Sequence, residues 1–202
     1  GGVYSLVKNV IQNNHSKEVK IDIAAIEKFQ NQSNIVFLKK YNCDVFYAGS
    51  EGNKLMKQIA VYKNIKRIVA DGNYDYVHIH ADTANKLMVS GIAANKAGVE
   101  GVIFHSHSAG IDGNHRSPKM VVHKICRMLL KNIGSSYVAC SDLAARWMYP
   151  NIPAKEIIII KNGVDLDKFR FNQEIRNRVR RELHVENNIL IGHVGRFLYQ
   201  KN

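Results

Sequence analysis

Long apolar runs are absent from this sequence. No stretch approaches the ~20 consecutive apolar residues of a membrane-spanning helix. The densest run, Ile157-Ile158-Ile159-Ile160, suits a buried strand. The N-terminus has neither the basic start nor the apolar segment of a secretory signal. Cysteine is scarce: Cys43, Cys126 and Cys140 are odd in number and far apart. No pair has redox or metal-ligand spacing, so reduced cytosolic thiols are expected rather than a disulfide framework. No low-complexity tract and no repeat of solenoid or propeller period is present. Gly-x-Ser-x-Gly is missing, and so is a phosphate loop ending in Gly-Lys-Ser/Thr, which leaves no nucleophile signature. Negative charge is also short. Asp and Glu number 17 against 29 Lys and Arg, for a net charge of +12.

That imbalance points to an anionic partner: nucleic acid, an acidic membrane surface or a phosphorylated ligand. Much of it also reads as ordinary solvated surface. The cations are spread along the chain, and no block of aromatics interleaved with Arg suggests a nucleic-acid platform. Hydrophobic content of 46% over 202 residues is enough for one domain with a real core and a little more.

Hydrophobic periodicity then orders the chain. Val3, Leu6, Val7, Val10 and Ile11 recur at helical spacing after Gly1-Gly2. Lys20 to Ala25 and Asp44 to Ala48 read as strands, with a short helix around Ile35 to Tyr41. A helix follows, with Leu55, Ile59, Tyr62 and Val69 on one face. Tyr74 to His80 is a strand, Thr83 to Ala97 a helix ended by Gly98, and Val99 to His105 a strand. Pro118 suits the first turn of a helix carrying Val121, Ile125, Met128 and Leu129 inward. Tyr137 to Cys140 is a strand, and Ser141 or Asp142 caps the next helix. A strand at Glu156 to Lys161, a basic helix at Gln173 to Leu183 and a last strand at Ile189 to Val194 complete the chain. Strands alternating with helices imply an α/β fold: a Rossmann-like, doubly wound parallel sheet. Ligands bind such sheets beyond the carboxyl ends of the strands.

The polar clusters stand at those ends. Gly1-Gly2 precedes a helix whose free N–H groups favour an anion, or simply makes a tight turn. His78 and His80 are expected to face opposite sides of their strand, leaving His80, nearer the carboxyl end, toward the cleft. His105-Ser106-His107-Ser108 crowds hydrogen-bonding groups at the end of an apolar strand, with His105 and His107 on one side. No acidic or thiol ligand stands at suitable spacing, so a polyhydroxylated ligand suits them better than a metal, and no metal is expected. Gly192-His193-Val194-Gly195-Arg196, followed by Lys201, offers Arg and Lys at a strand end, a suitable clamp for a diphosphate.

In this order the motifs resemble glycosyltransferase family 4, of the bacterial exopolysaccharide and capsule type. The matching pieces are Gly1-Gly2-Val3, Asp75-Tyr76-Val77-His78-Ile79-His80, His105-Ser106-His107 and Ala139-Cys140-Ser141, then Lys161-Asn162-Gly163-Val164-Asp165 with Phe169, and Gly192 to Phe197 with Gln200-Lys201-Asn202. The resemblance implies the GT-B fold, two Rossmann-like domains facing across a cleft. Residues 1–165 would be the acceptor-side domain without its first strand. Residues 166–202 would be the linker helix and the first strand of the donor-binding domain. It implies transfer from a nucleotide sugar, in particular a UDP-sugar, to a glycan or lipid-linked acceptor, with retention of configuration and no cofactor or metal. His107 takes the position of the catalytic His that contacts the transferred sugar. Gly1, Gly2, His80, His105, Ser106 and Asn162 would line the substrate, and by the resemblance Arg196 and Lys201 would neutralise the donor diphosphate.

By the same resemblance the chain is truncated at both ends. A chain starting at the glycine loop lacks the central first strand, and one ending at Asn202 lacks the acidic donor-binding region. These 202 residues alone are therefore expected to be inactive. The full protein would be cytoplasmic, touching the anionic inner face of the membrane through Lys119, Lys124, Arg127 and Lys131, unless these are a solvated helix face. The alternatives are an inactive remnant or non-catalytic binding domain, and a UDP-sugar epimerase of the same architecture. A NAD-dependent Rossmann enzyme is disfavoured, because Gly1-Gly2 lacks the Gly-x-Gly-x-x-Gly spacing.

Overall fold

The computed structural model describes residues 2–111, 116–192 and 194. The chain divides into two units, Gly1–Asn162 and Gly163–Asn202. The first opens with α1 (Gly2–Gln12), which buries Leu6 and Ile11. β1 (Ile23–Ala25), α2 (Gln32–Lys40), β2 (Val45–Tyr47) and α3 (Lys54–Gly72) follow. Next come β3 (Tyr76–Ala81), α4 (Ala84–Ala97), β4 (Gly101–Ser106), α5 (Arg116–Leu129), β5 (Ser136–Ala139), α6 (Asp142–Met148) and β6 (Ile157–Ile159).

Local chemistry sets several boundaries. Asn53 caps α3 by accepting from the Met56 N–H, and Ser141 caps α6 by accepting from the Ala144 N–H. α4 ends where Gly98 turns into the left-handed region at φ 92°, open to glycine without penalty.

All strand pairs are parallel. β1 pairs with β2, and β3-β4-β5-β6 form a second sheet in chain order. Among the described residues the six strands thus fall into two groups, not one continuous sheet. A tie between the groups is the Tyr74 hydroxyl, just before β3, which donates to Asp22 Oδ2 just before β1 at 2.7 Å. Ala48, past the end of β2, packs with Val61, Ile65 and Val69 of α3 and Ala93 of α4.

β4 has a strand on each side and cover on both faces, so five of its six residues are buried. Its Phe104 is fully buried, and α4 meets it at Gly91. A methyl group at Gly91 would stand 2.7 Å from the Phe104 ring, and one at Gly134 would stand equally close to its other edge. Two residues without side chains thus make the slot that the ring fills.

Three sequence expectations are corrected. α3 turns Val61, Ile65 and Val69 inward, whereas Leu55 is 70% exposed and Ile59 lies at the surface. The helix carries two apolar rows, and the row that meets Ala48 and Ala93 is the buried one. α5 points Val121, Ile125, Met128 and Leu129 outward and buries His123 and Cys126 instead. His123 is accommodated because its Nδ1 accepts from the Ala84 N–H at 3.1 Å and its ring stacks on Trp147 at 4.4 Å. Residues 189–192 form no strand, and Ile189 is 94% exposed. A lone strand has no ladder to satisfy its backbone groups.

The second unit contains α7 (Leu166–Phe169), capped by Asp165, and α8 (Gln173–Glu182), capped by Asn172. Neither helix buries a residue.

Phe104→Ala removes the ring that fills the slot between α4 and the sheet. It is expected to lower stability by about 3–5 kcal/mol, the usual loss for a buried aromatic cut to alanine. Urea unfolding measures it, and a loss below about 1 kcal/mol would contradict the packing described.

Candidate functional site

The site grows from the pairing of β3 with β4. Their register sets His78 opposite Ile103, His80 opposite His105 and Ala81 opposite Ser106. The ladder continues one step beyond the strands, where the His107 N–H donates to the Ala81 carbonyl at 3.2 Å. Residues two apart in a strand share a face. His78 and His80 therefore lie side by side, contrary to the expectation of opposite faces, with ring centroids 4.3 Å apart. His105 and His107 do the same at 4.1 Å.

Two adjacent strands thus place four imidazoles in one cluster at their carboxyl ends. His80 and His105 rings are 4.9 Å apart, and His78 and His105 rings 5.2 Å. Two ring-to-ring hydrogen bonds cross the strands: His78 Nε2 to His105 Nδ1 at 3.2 Å, and His80 Nδ1 to His107 Nε2 at 2.8 Å. In each, one ring donates and the other accepts, so neither pair can be doubly protonated. His105 is 1% exposed, while His78 reaches the surface.

Burial is the main cause that holds all four rings below the ordinary imidazole pKa. Repulsion from neighbouring rings adds to it for His78, His80 and His105, and brings His78 to about 4. At neutral pH the cluster is uncharged, and each ring keeps one N–H and one lone pair. Such a surface donates to and accepts from hydroxyl groups without bringing a charge. His105 Nε2 and His107 Nδ1 are buried and have no hydrogen-bond partner among the described residues. His78, His80 and His105 also offer ligand nitrogens within 4.8 Å of one another, close enough to share a metal ion.

The other predicted residues are placed differently. Ser106, one residue out of phase with His105, is fully buried, and its hydroxyl donates to the Ala144 carbonyl at 3.2 Å, tying α6 to β4. Asn162 follows β6, two strands away from β4, and is exposed. Gly2 is the first residue of α1, and a side chain there would meet nothing within 4 Å. Gly1, Arg196 and Lys201 lie outside the described residues.

The sequence reading missed His78. Its signal was the repeated His-x-His, which puts two rings of each strand on one face. A second polar group was missed too. His123 Nε2, Arg127 Nε and Trp147 Nε1 are buried without partners among the described residues, while an Arg127 Nη1 N–H donates to the Trp147 carbonyl at 3.0 Å.

The profile of Glycosyltransferase Family 4 matches residues 38–168, more than half of the chain. The chain belongs to glycosyltransferase family 4. The matched span holds β3, β4 and all four histidines of the cluster. No curated protein sequence matches the chain.

Solved structures share the fold at low identity. Alr3699/HepE of Anabaena, crystallised with UDP and glucose, superposes with a TM-score of 0.65 at 18% identity, over 97% of this chain and 49% of that one. A glycosyltransferase of Rickettsia africae gives 0.58 at 18% identity, over 93% and 46%. The UDP-GlcNAc 2-epimerase of Neisseria meningitidis, bound to UDP-GlcNAc, gives 0.55 at 14% identity, over 91% and 51%. The family 4 chain thus spans about half the length of these structures.

Proposed function

We propose that this family 4 chain is the acceptor-side part of a retaining glycosyltransferase. It would move a hexosyl group from a UDP-sugar to a glycan or lipid-linked acceptor in exopolysaccharide or capsule synthesis. The observation that carries the reading is the cluster of four neutral imidazoles at the carboxyl ends of β3 and β4. Their N–H groups and lone pairs suit sugar hydroxyls, and their lack of charge leaves the donor diphosphate to be met elsewhere.

In the reaction the acceptor oxygen bonds to the anomeric carbon as the bond from that carbon to the diphosphate oxygen breaks. The acceptor proton passes to a donor phosphate oxygen, and the nucleoside diphosphate leaves with the bonding electrons. His107 positions the sugar by hydrogen bonding, with His80 holding its ring through the 2.8 Å contact. Arg196 and Lys201 stabilise the charge that develops on the leaving diphosphate. Transfer needs no bound metal in this scheme.

The membrane part of the proposal rests on α5. Val121, Ile125 and Met128 are all more than half exposed, and Lys124 on the same helix and Lys131 beyond it are exposed. No helix among the described residues is long and apolar enough to cross a membrane. An apolar face flanked by cations suits the surface of an anionic bilayer. Arg127 drops out of this face, because its guanidinium is turned to Trp147. Salt-sensitive binding to vesicles containing anionic lipid, reduced by Ile125→Glu, is the expected result. Binding unaffected by salt, lipid charge or that substitution removes the membrane part.

A second reading, UDP-sugar epimerisation, is favoured by the epimerases among the structures of like fold. It predicts isomerised UDP-sugar without acceptor.

The test uses the full-length protein. A panel of nucleotide sugars screened by thermal shift should identify a donor that raises the melting temperature. Arg196→Ala and Lys201→Ala should each weaken donor binding about 10- to 100-fold, the equivalent of a charged hydrogen bond worth about 1.5–3 kcal/mol. His107→Ala should slow turnover more than it weakens binding. A well-folded protein that answers no nucleotide sugar contradicts the proposal, as do unchanged kinetics in all three variants.

A further inference from the structure

The histidine cluster has a second capacity that sugar binding does not use. Three of its rings come from two strands, and their nitrogens lie within 4.8 Å of one another. His78 Nε2 and His105 Nδ1 are 3.2 Å apart. A tetrahedral ion with metal–nitrogen bonds of about 2.0–2.1 Å holds its ligand nitrogens about 3.3–3.4 Å apart. That pair already stands at ligand spacing, with no carboxylate or lysine in the group.

We propose that His78, His80 and His105 form a binding site for one divalent ion of the later first transition row, such as zinc, cobalt, nickel or copper. Three imidazole nitrogens suit these ions, whereas magnesium and calcium demand oxygen donors. Three protein ligands leave the fourth position of a tetrahedral ion to water.

His107 completes the arrangement as a supporting group. Its Nε2 lies 2.8 Å from His80 Nδ1. When His80 Nδ1–H donates to His107, the lone pair of His80 sits on Nε2, free for a metal. Ligating histidines commonly give their other N–H to such a partner, which fixes the tautomer. The exposed His78 opens the site to entering ions, while the buried His105 anchors it. Spacing along the chain hides the site, because its ligands belong to two strands brought together by register.

The site does not rest on the transferase proposal, in which transfer itself needs no metal. His80 and His105 would serve sugar and ion alike, so a bound ion competes with the sugar.

The experiment titrates chelator-treated full-length protein with cobalt(II) alone, followed by equilibrium dialysis and visible absorption, with zinc(II) as competitor. The expected result is one cobalt per chain with the intense visible bands of a tetrahedral site, displaced by zinc. His78→Gln changes a surface ring and leaves the core packing intact, and it should abolish those bands. His107→Ala should weaken binding about 10- to 100-fold, the usual effect of losing a supporting partner. His15→Ala, at an exposed histidine outside the cluster, should change nothing. Absence of stoichiometric cobalt overturns the proposal, and so does binding unchanged in His78→Gln. The readout is metal binding, so failure here leaves the sugar-transfer test untouched.

Discussion

The parallel register of β3 against β4 is the constraint on which the site depends. It sets His80 beside His105 and carries on to His107. A slip of one residue would turn one strand's pair of imidazoles to the other face. The other face of β4 prevents the slip. Val102, Phe104 and Ser106 are buried there, with the Phe104 ring closed in by Gly91 and Gly134. A slip would drive His105 into that slot and turn Phe104 to the imidazole face. The apolar core and the polar cluster are two sides of one pairing.

The architecture was largely legible in the sequence, because alternating strand and helix patterns and terminating residues such as Gly98 and Ser141 act locally. The histidine cluster was legible only in part. His105 and His107 were read onto one side, but the same period-two rule was misapplied to His78 and His80. Contact between the pairs depends on register, which no local pattern states. Helix facing failed for a related reason. In α3 two apolar rows competed, and partners distant in sequence, Ala48 and Ala93, selected one. The order of motifs, rather than any single residue, carried the family assignment.

α5 shows how tertiary context overrides hydrophobic pattern. Its inward row includes a fully buried histidine, while its apolar residues face outward. The imidazole is acceptable inside because it accepts from the backbone N–H of Ala84 at the start of α4 and stacks on Trp147. Nothing within α5 itself announces this, since the donating and stacking partners come from other helices. The result is a row of exposed apolar side chains, Val121, Ile125 and Met128, with the exposed Lys124 beside them.

The central claim is that four imidazoles share one face as an uncharged, hydrogen-bonded cluster. Nitrogen NMR of the histidine rings in metal-free protein, followed over pH, tests it directly. Burial disfavours the cation in all four rings, and repulsion adds to it in His78, His80 and His105, so the rings should be neutral at pH 7 and take up protons only below the ordinary pKa of about 6.5. His80 and His105 rings that are protonated at neutral pH, or that titrate independently at the ordinary value, would contradict the account.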